Sequence, residues 1–336
     1  MRILHVTGGV PIPPLKYGGV ERVVEQLALG QIAKGHEVYI QGNAGHRELP
    51  GVEWFPILME DDVHRKINPE LEGNYDVLHN HVCNQPNTFR FAQTHGFKAI
   101  TTFHSNWPDA DRKLLGHLQT WIVNIGAHMP KEGLNVIYIP YGIPEGTFLA
   151  EKDDYLYHTG QIASEKGTDL AIQFAEATGH SLIISGPMRD PAFFEEWIRG
   201  HVRSGAAGKG VSDIGYVGEV GGALRDILFA RAKCLLFFPR WEEAFGLVPL
   251  EACIRGTPVI ARMRSALPAM IKDGVNGFVI NDNNNPDVNL YTPYLERLSE
   301  INPYDCRQWV LDNFSVGKML RSYEELYQKA AAGEGP

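Results

Sequence analysis

At 336 residues the chain is longer than one hydrophobic core comfortably fills and suits two domains of about 150 residues each. Hydrophobic content of 44% and charged content of 21% are ordinary for a globular protein. The net charge is −9 and neither half is basic, which argues against a surface built to hold duplex nucleic acid or anionic lipid through counterion release.

From the N-terminus, Ile3 to Thr7 reads as a short buried strand, and Gly8 to Gly19 as a loop rich in glycine and proline. Val20, Val23, Val24, Leu27 and Ile32 then mark one face of a helix that stops at Gly35, and Val38 to Ile40 is the next strand. This β-loop-α-β opening belongs to doubly wound sheets, whose ligands bind at the carboxyl ends of the strands. The loop lacks G-x-G-x-x-G, which sets a nicotinamide site aside. Gly18 and Gly19 open the helix, where glycine serves either a tight turn or the close approach of a ligand to the backbone. Tyr75 to His81 and Ala99 to His104 spell two more strands, each ending in histidine, and alternation puts His79 and His81 on one face. Three histidines raise the question of zinc. No acidic or thiolate companion stands at a recognisable spacing, so no metal site is expected. Asp109-Ala-Asp111 spells the metal-holding Asp-x-Asp, but it reads better as the capped start of a helix. Val136 to Ile143 reads as the strand and turn leading out of the first domain, and the boundary is expected at about 145–154, where Glu151 to Asp154 is polar and linker-like.

The rhythm then repeats. Tyr155 to Thr159 is a strand, Gly160 to Gly167 a loop, Thr168 to Thr178 a helix, and Ser181 to Ser185 a strand ending at Gly186. Ile214 to Gly218 precedes a helix from Gly222 to Ala232. Cys234 to Phe238 has the bulk of a buried parallel strand, which Pro239 ends. A helix follows from Gly246 or Leu247, with Pro249 in its first turn, and Gly256 closes it before the strand at Pro258 to Ala261. The N–H groups of Gly246, Leu247 and Val248 at that helix mouth form a ready site for phosphate. Glu243 and Glu251 beside it are better placed to accept hydrogen bonds from hydroxyls, and a phosphate between hydroxyls describes a sugar nucleotide. Beyond Phe278 to Ile280 come an Asn- and Asp-rich turn and two helices, the last from about Val316 to Ala331. The four cysteines, Cys83, Cys234, Cys253 and Cys306, are scattered and suggest no disulfide framework. No signal peptide is legible and no apolar run approaches the roughly 18 residues of a membrane span, so a cytoplasmic setting is expected, with at most peripheral membrane contact.

Glu243 and Glu251, set in Glu-Ala-Phe-Gly-Leu-Val-Pro-Leu-Glu and followed by Gly-Thr-Pro-Val-Ile-Ala, resemble the E-x7-E motif of retaining glycosyltransferases of family 4, within the glycosyl transferases of group 1. The resemblance implies a GT-B fold: two Rossmann-like doubly wound domains facing across a cleft, with the C-terminal helix crossing back to the first domain. Residues 1–148 would form the acceptor-side domain, 149–315 the donor domain and 316–336 the crossover helix and tail. The implied activity is metal-independent transfer of a sugar from a UDP- or GDP-linked donor to a hydroxyl acceptor, by a monomer or homodimer without a cofactor or nucleic-acid partner. Gly18 and Gly19 resemble the family's first loop, near the donor diphosphate, and His104 the histidine that points at the sugar. Ala244, Phe245, Gly246, Leu247 and Val248 would supply main-chain N–H groups, Glu243 would grip sugar hydroxyls, and Glu251 would accept from the ribose. Gly186 would sit at the donor beside these residues.

Two positions depart from the family. Gly160 to Gly167 carries Lys166, but Gln161 stands where the family has an arginine on the diphosphate; Arg240, Arg189 and Lys16 are candidates for the missing charge. Tyr141 stands where an asparagine is usual, a change expected to touch only turn chemistry. A nucleotide-sugar epimerase or hydrolase on the same architecture, and a non-catalytic sugar-nucleotide-binding module, are the competing readings.

Overall fold

The computed structural model describes residues 1–14, 18–44, 49–59, 65–82, 85–105, 120–126, 136–202 and 213–335. Asp109, Asp111, Lys16 and Cys83 lie outside them. The chain divides into two compact units: Met1–Gly142 with Val316–Pro336, and Ile143–Ser315.

The first unit is a parallel sheet of seven described strands in the order β3-β2-β1-β6-β7-β8-β9. These are β1 (Arg2–Ile12), β2 (Glu37–Ala44), β3 (Val52–Phe55), β6 (Val77–Asn80), β7 (Ala99–Phe103), β8 (Trp121–Asn124) and β9 (Val136–Tyr138). A small antiparallel pair, β4 (Leu58–Met59) and β5 (Arg65–Lys66), stands apart. The inner strands β6, β7 and β8 are buried at every position, as strands covered on both faces must be. Helix α1 (Gly19–Ala33) buries Val23, Val24, Leu27 and Ala28, and Val24 and Ala28 pack with Val38 and Ile40 of β2. Helix α2 (Gln85–His95) joins β6 to β7. The first strand runs further than expected. Instead of stopping at Thr7 it continues through Gly8 and Gly9, with a register shift against β2 between Val6 and Pro11, because β2 is long enough to pair with Pro11 and Ile12 beyond the irregularity.

The second unit is a parallel sheet of six described strands, β12-β11-β10-β13-β14-β15. They are β10 (Tyr155–Thr159), β11 (Ser181–Ser185), β12 (Ile214–Tyr216), β13 (Cys234–Phe237), β14 (Val259–Arg262) and β15 (Gly277–Ile280). The longer helices between them are α3 (Thr168–Thr178), α4 (Pro191–Trp197), α5 (Gly222–Arg231) and α6 (Leu247–Cys253). Two short helices, α7 (Leu267–Met270) and α8 (Pro293–Arg297), precede α9 (Pro303–Phe314). The polar stretch before β10 is fastened down rather than loose. Lys152 Nζ donates to the carbonyls of Ala230 and Arg255 and to Thr257 Oγ1 at 2.8–3.0 Å, and Asp153 and Asp154 pair with Arg231 and Lys233.

After Ser315 the chain returns to the first unit as α10 (Val316–Ala331), burying Met319, Tyr323, Leu326, Tyr327 and Ala330 along one face. No helix among the described residues is long and apolar enough to cross a membrane.

Candidate functional site

In the second unit the strand order reverses between β10 and β13, which are neighbours in the sheet but far apart in sequence. The loops leaving their carboxyl ends are the ones an α/β sheet offers to a ligand. The loop after β10 winds through a 3-10 turn, Ser164–Lys166, and ends at Gly167 (φ 72°), where a Cβ would lie 2.0 Å from the Phe238 carbonyl oxygen. Only glycine lets the two loops approach so closely.

The loop after β13 is stapled on both sides. The Arg240 guanidinium grips Asp169 with bonds of 2.8 and 2.5 Å and donates to the Ser164 carbonyl at 2.6 Å. Its main-chain N–H meets the Glu165 carbonyl at 2.8 Å. Glu242 accepts from the N–H of Ser265 at 3.0 Å and from its hydroxyl, and the Glu243 carbonyl accepts from Ala266 N–H at 3.2 Å. Between the staples, Lys166 Nζ stands 3.9 Å from the centroid of the Trp241 ring. Burial holds the Lys166 ammonium below its usual range, with the charges of Glu243 and Glu165 opposing that shift. Burial likewise pushes the Glu243 carboxyl up, against the charge of Lys166 and hydrogen bonds from Phe245 N–H, the Trp241 side chain and Ala244 N–H. Each of the two charges thus offsets part of what burial does to the other.

The other predicted positions gather nearby in part. Gly246 is the N-cap of α6 (φ 112°), Leu247 and Val248 are half-buried in its first turn, and α6 is seven residues long. The amides of Ala244 and Phe245 already serve Glu243. Glu251, four residues along α6, binds the Arg225 guanidinium through both oxygens at 2.8 and 2.5 Å. Gln161 is half-buried in the loop after β10. Gly186 (φ 139°) ends β11, and a Cβ there would fall 1.7 Å from the Gly160 carbonyl oxygen. The next residues bond to the β10 loop: Ile162 N–H donates to the Pro187 carbonyl at 2.9 Å and Arg189 N–H to the Ile162 carbonyl at 3.2 Å. The exposed Arg189 thus lies on the strip of chain next to Gln161, whereas Arg240 is committed to Asp169.

Three residues central to this arrangement, Trp241, Arg225 and Asp169, were not singled out in the sequence. The last two lie on helices whose partners only the fold discloses. Trp241 left one signal, an aromatic in the otherwise charged run Arg-Trp-Glu-Glu.

In the first unit, Gly18 caps α1 (φ 151°), a Cβ there lying 2.6 Å from Pro14, and Gly19 is the first helical residue. The strand-end histidines form a hydrogen-bonded chain. His5 and His79 are register partners on β1 and β6, and the rings of His79 and His81 stand 3.9 Å apart. Gln31 Oε1 meets His5 Nε2 at 2.9 Å, His5 Nδ1 meets His81 Nε2 at 2.9 Å, and His81 Nδ1 meets His104 Nε2 at 3.0 Å. His104 Nδ1 closes on the Tyr141 hydroxyl. With the Gln31 oxygen accepting at one end, each neutral imidazole donates from Nε2 and accepts at Nδ1, and Tyr141 donates at the other end. The ligating atoms of His5, His79 and His81 lie within 4.8 Å of one another, as metal ligands could, yet every ring nitrogen of the three is in a hydrogen bond.

Burial lowers the pKa of all four histidines, to about 4 for His5 and about 3 for His104. Two expectations change here. Both ring nitrogens of His104 are engaged inside the unit, and the substitution at Tyr141 reaches His104 rather than stopping at turn chemistry.

The family model described as glycosyl transferases group 1 matches residues 143–292, most of the second unit. An uncharacterized 41.2 kDa protein in the cps region of Klebsiella pneumoniae is 32% identical over 114 residues, covering 34% of this chain and 32% of that protein. A D-inositol 3-phosphate glycosyltransferase of Streptomyces griseus is 39% identical over 75 residues, 22% of this chain and 16% of the other. The chain thus spans about a third or less of these two relatives' length. Among solved structures, Anabaena Alr3699/HepE in complex with UDP and glucose superposes with a TM-score of 0.72 at 14% identity, over 98% of this chain and 100% of that one. The fold is GT-B: two Rossmann-like parallel-sheet units with the last helix returned to the first.

Proposed function

We propose that the protein transfers a sugar, with retention and without a metal, from a nucleotide-sugar donor to a hydroxyl-bearing acceptor. The observation that carries this reading is the meeting of Lys166, Trp241 and Glu243 beside the strand-order switch of the second unit. Lys166 meets the diphosphate as its charge grows, and the amides of Gly246, Leu247 and Val248 add hydrogen bonds to it. Glu243 accepts from sugar hydroxyls. Glu251 offers the ribose those lone pairs that Arg225 leaves. Arg189 supplies the charge that Gln161 lacks, its loop being bonded to the Gln161 loop. HepE, solved with UDP and glucose, supports a nucleotide-sugar donor. The first unit is left the acceptor.

Gln161 also favours a second reading, a sugar-nucleotide-binding module without turnover. Thermal-shift screening against UDP, GDP, ADP and TDP identifies the nucleotide, and the matching donors are then assayed with an acceptor panel. Lys166→Ala should lower turnover at least tenfold, about 1.4 kcal/mol of transition-state stabilisation. A Lys166→Ala variant at full rate overturns the assignment, and nucleotide binding with no turnover on any acceptor supports the binding module instead.

A further inference from the structure

Trp241 touches the cation on which the proposed function turns. Its ring face carries the Lys166 ammonium at 3.9 Å from the ring centroid. Burial does not account for its place. The residue is 40% exposed, and an indole left in water forgoes the free energy that would reward tucking it into a core. Its backbone is fixed by its neighbours: Arg240 is bonded to Asp169, Ser164 and Glu165 on one side, and Glu242 to Ser265 on the other. The loop therefore presents the indole outward from a rigid base, the condition under which an aromatic face can set the position of a cation.

We propose that Trp241 is a positioning residue, whose ring fixes where Lys166 stands. The inference rests on the reading of Lys166 as the diphosphate ligand. The negative face of an indole attracts an ammonium along one direction, whereas an aliphatic side chain of similar bulk covers the lysine stem without orienting its charge. Phenylalanine keeps a ring face and leucine does not, so the two substitutions separate the ring's pull on the ammonium from its bulk.

Inorganic pyrophosphate, titrated by calorimetry at pH 7, is the probe, since it reports on the cation without assuming a nucleotide. Trp241→Phe should bind it within about twofold of the unsubstituted protein and Trp241→Leu about tenfold more weakly, in keeping with a partly shielded cation–π contact. Lys166→Ala should bind about tenfold more weakly or worse. If Trp241→Leu binds like the unsubstituted protein while Lys166→Ala is weakened, Trp241 is only a surface aromatic and this inference fails alone. If Lys166→Ala binds undiminished, the diphosphate reading of Lys166 fails and this inference goes with it. Should Trp241→Leu not fold, tryptophan emission decides: pyrophosphate should change it in the unsubstituted protein and not in Trp241→Phe. An unchanged response in Trp241→Phe overturns the inference.

Discussion

Replacing Glu251 by glutamine would leave the Arg225 guanidinium, with only 15% of its side chain exposed, short of its counter-charge. Removing one partner of a largely buried pair costs about 3 kcal/mol, so Glu251→Gln should lower the urea-unfolding free energy by that order whether or not a ribose ever binds there. Unchanged stability with weakened nucleotide binding would instead make Glu251 a ligand group alone. Gly186 makes a different demand. With φ at 139° and the Gly160 carbonyl oxygen 1.7 Å from any added Cβ, Gly186→Ala must move backbone, and a loss of about 3 kcal/mol or more in the same denaturation is expected. Lys166 and Glu243 are legible through their resemblance to the family's motifs, and Gly186 through its place just after the apolar strand Ser181–Ser185. The sequence did not disclose Arg225 or Trp241, because a salt bridge across two helices and a cation over a ring are properties of packing that no local spacing encodes.

Elements were easier to read where a single physical pattern decided them. The strands Tyr155–Thr159 and Ser181–Ser185 and the helices Thr168–Thr178 and Val316–Ala331 stand where the apolar runs and periodicity put them. The Asn- and Asp-rich turn after β15 holds Asn283 and Asn284 at φ 51° and 64°, a conformation asparagine tolerates. The strands β3 and β8 were missed: at four residues each they are too short for periodicity to separate strand from helix, even with Pro50-Gly51 and Pro56 flanking β3. Helix α10 shows what amphipathicity leaves out. Its buried face is not wholly apolar: the Tyr327 hydroxyl bonds His79 Nδ1 at 2.7 Å, and the Tyr323 hydroxyl bonds Thr102 Oγ1 at 2.8 Å, which in turn meets His79 Nε2. Tyr327→Phe should therefore cost about 1–3 kcal/mol although it removes one oxygen, because a buried imidazole nitrogen loses its partner. A phenylalanine variant as stable as the parent, measured by equilibrium unfolding, would show that His79 finds another partner.

At the scale of the whole molecule, the histidines make acid stability uneven. A histidine with a lowered folded pKa stays neutral in the native state while the unfolded chain takes up protons below about 6.5, so the stability it supports is full above that pH and drains away as pH falls toward the folded value. His5, lowered to about 4, and His104, to about 3, each contribute roughly 1.4 kcal/mol per pH unit through the window from 6 to 4. His79 and His81 shift in the same direction. The second unit carries one such histidine among its described residues, His158, lowered to about 4. Hydrogen exchange read by mass spectrometry should find the first unit opening at a higher pH than the second; simultaneous loss of protection would show that the histidine cluster is not the weak point.

The second unit also begins and ends at one place, with Ile143 and Ser315 bridged and Ile143 N–H donating to the Phe314 carbonyl at 2.7 Å. An excised piece spanning residues 143–315 should fold alone, while residues 1–142 without α10 should not, as circular dichroism of the two pieces would show. That arrangement has a temporal side. As the ribosome delivers the chain, His79 emerges 248 residues ahead of the tyrosine that completes its hydrogen bonds. The half made first must wait until the half made second has already taken shape, its polar interior open to water in the meantime.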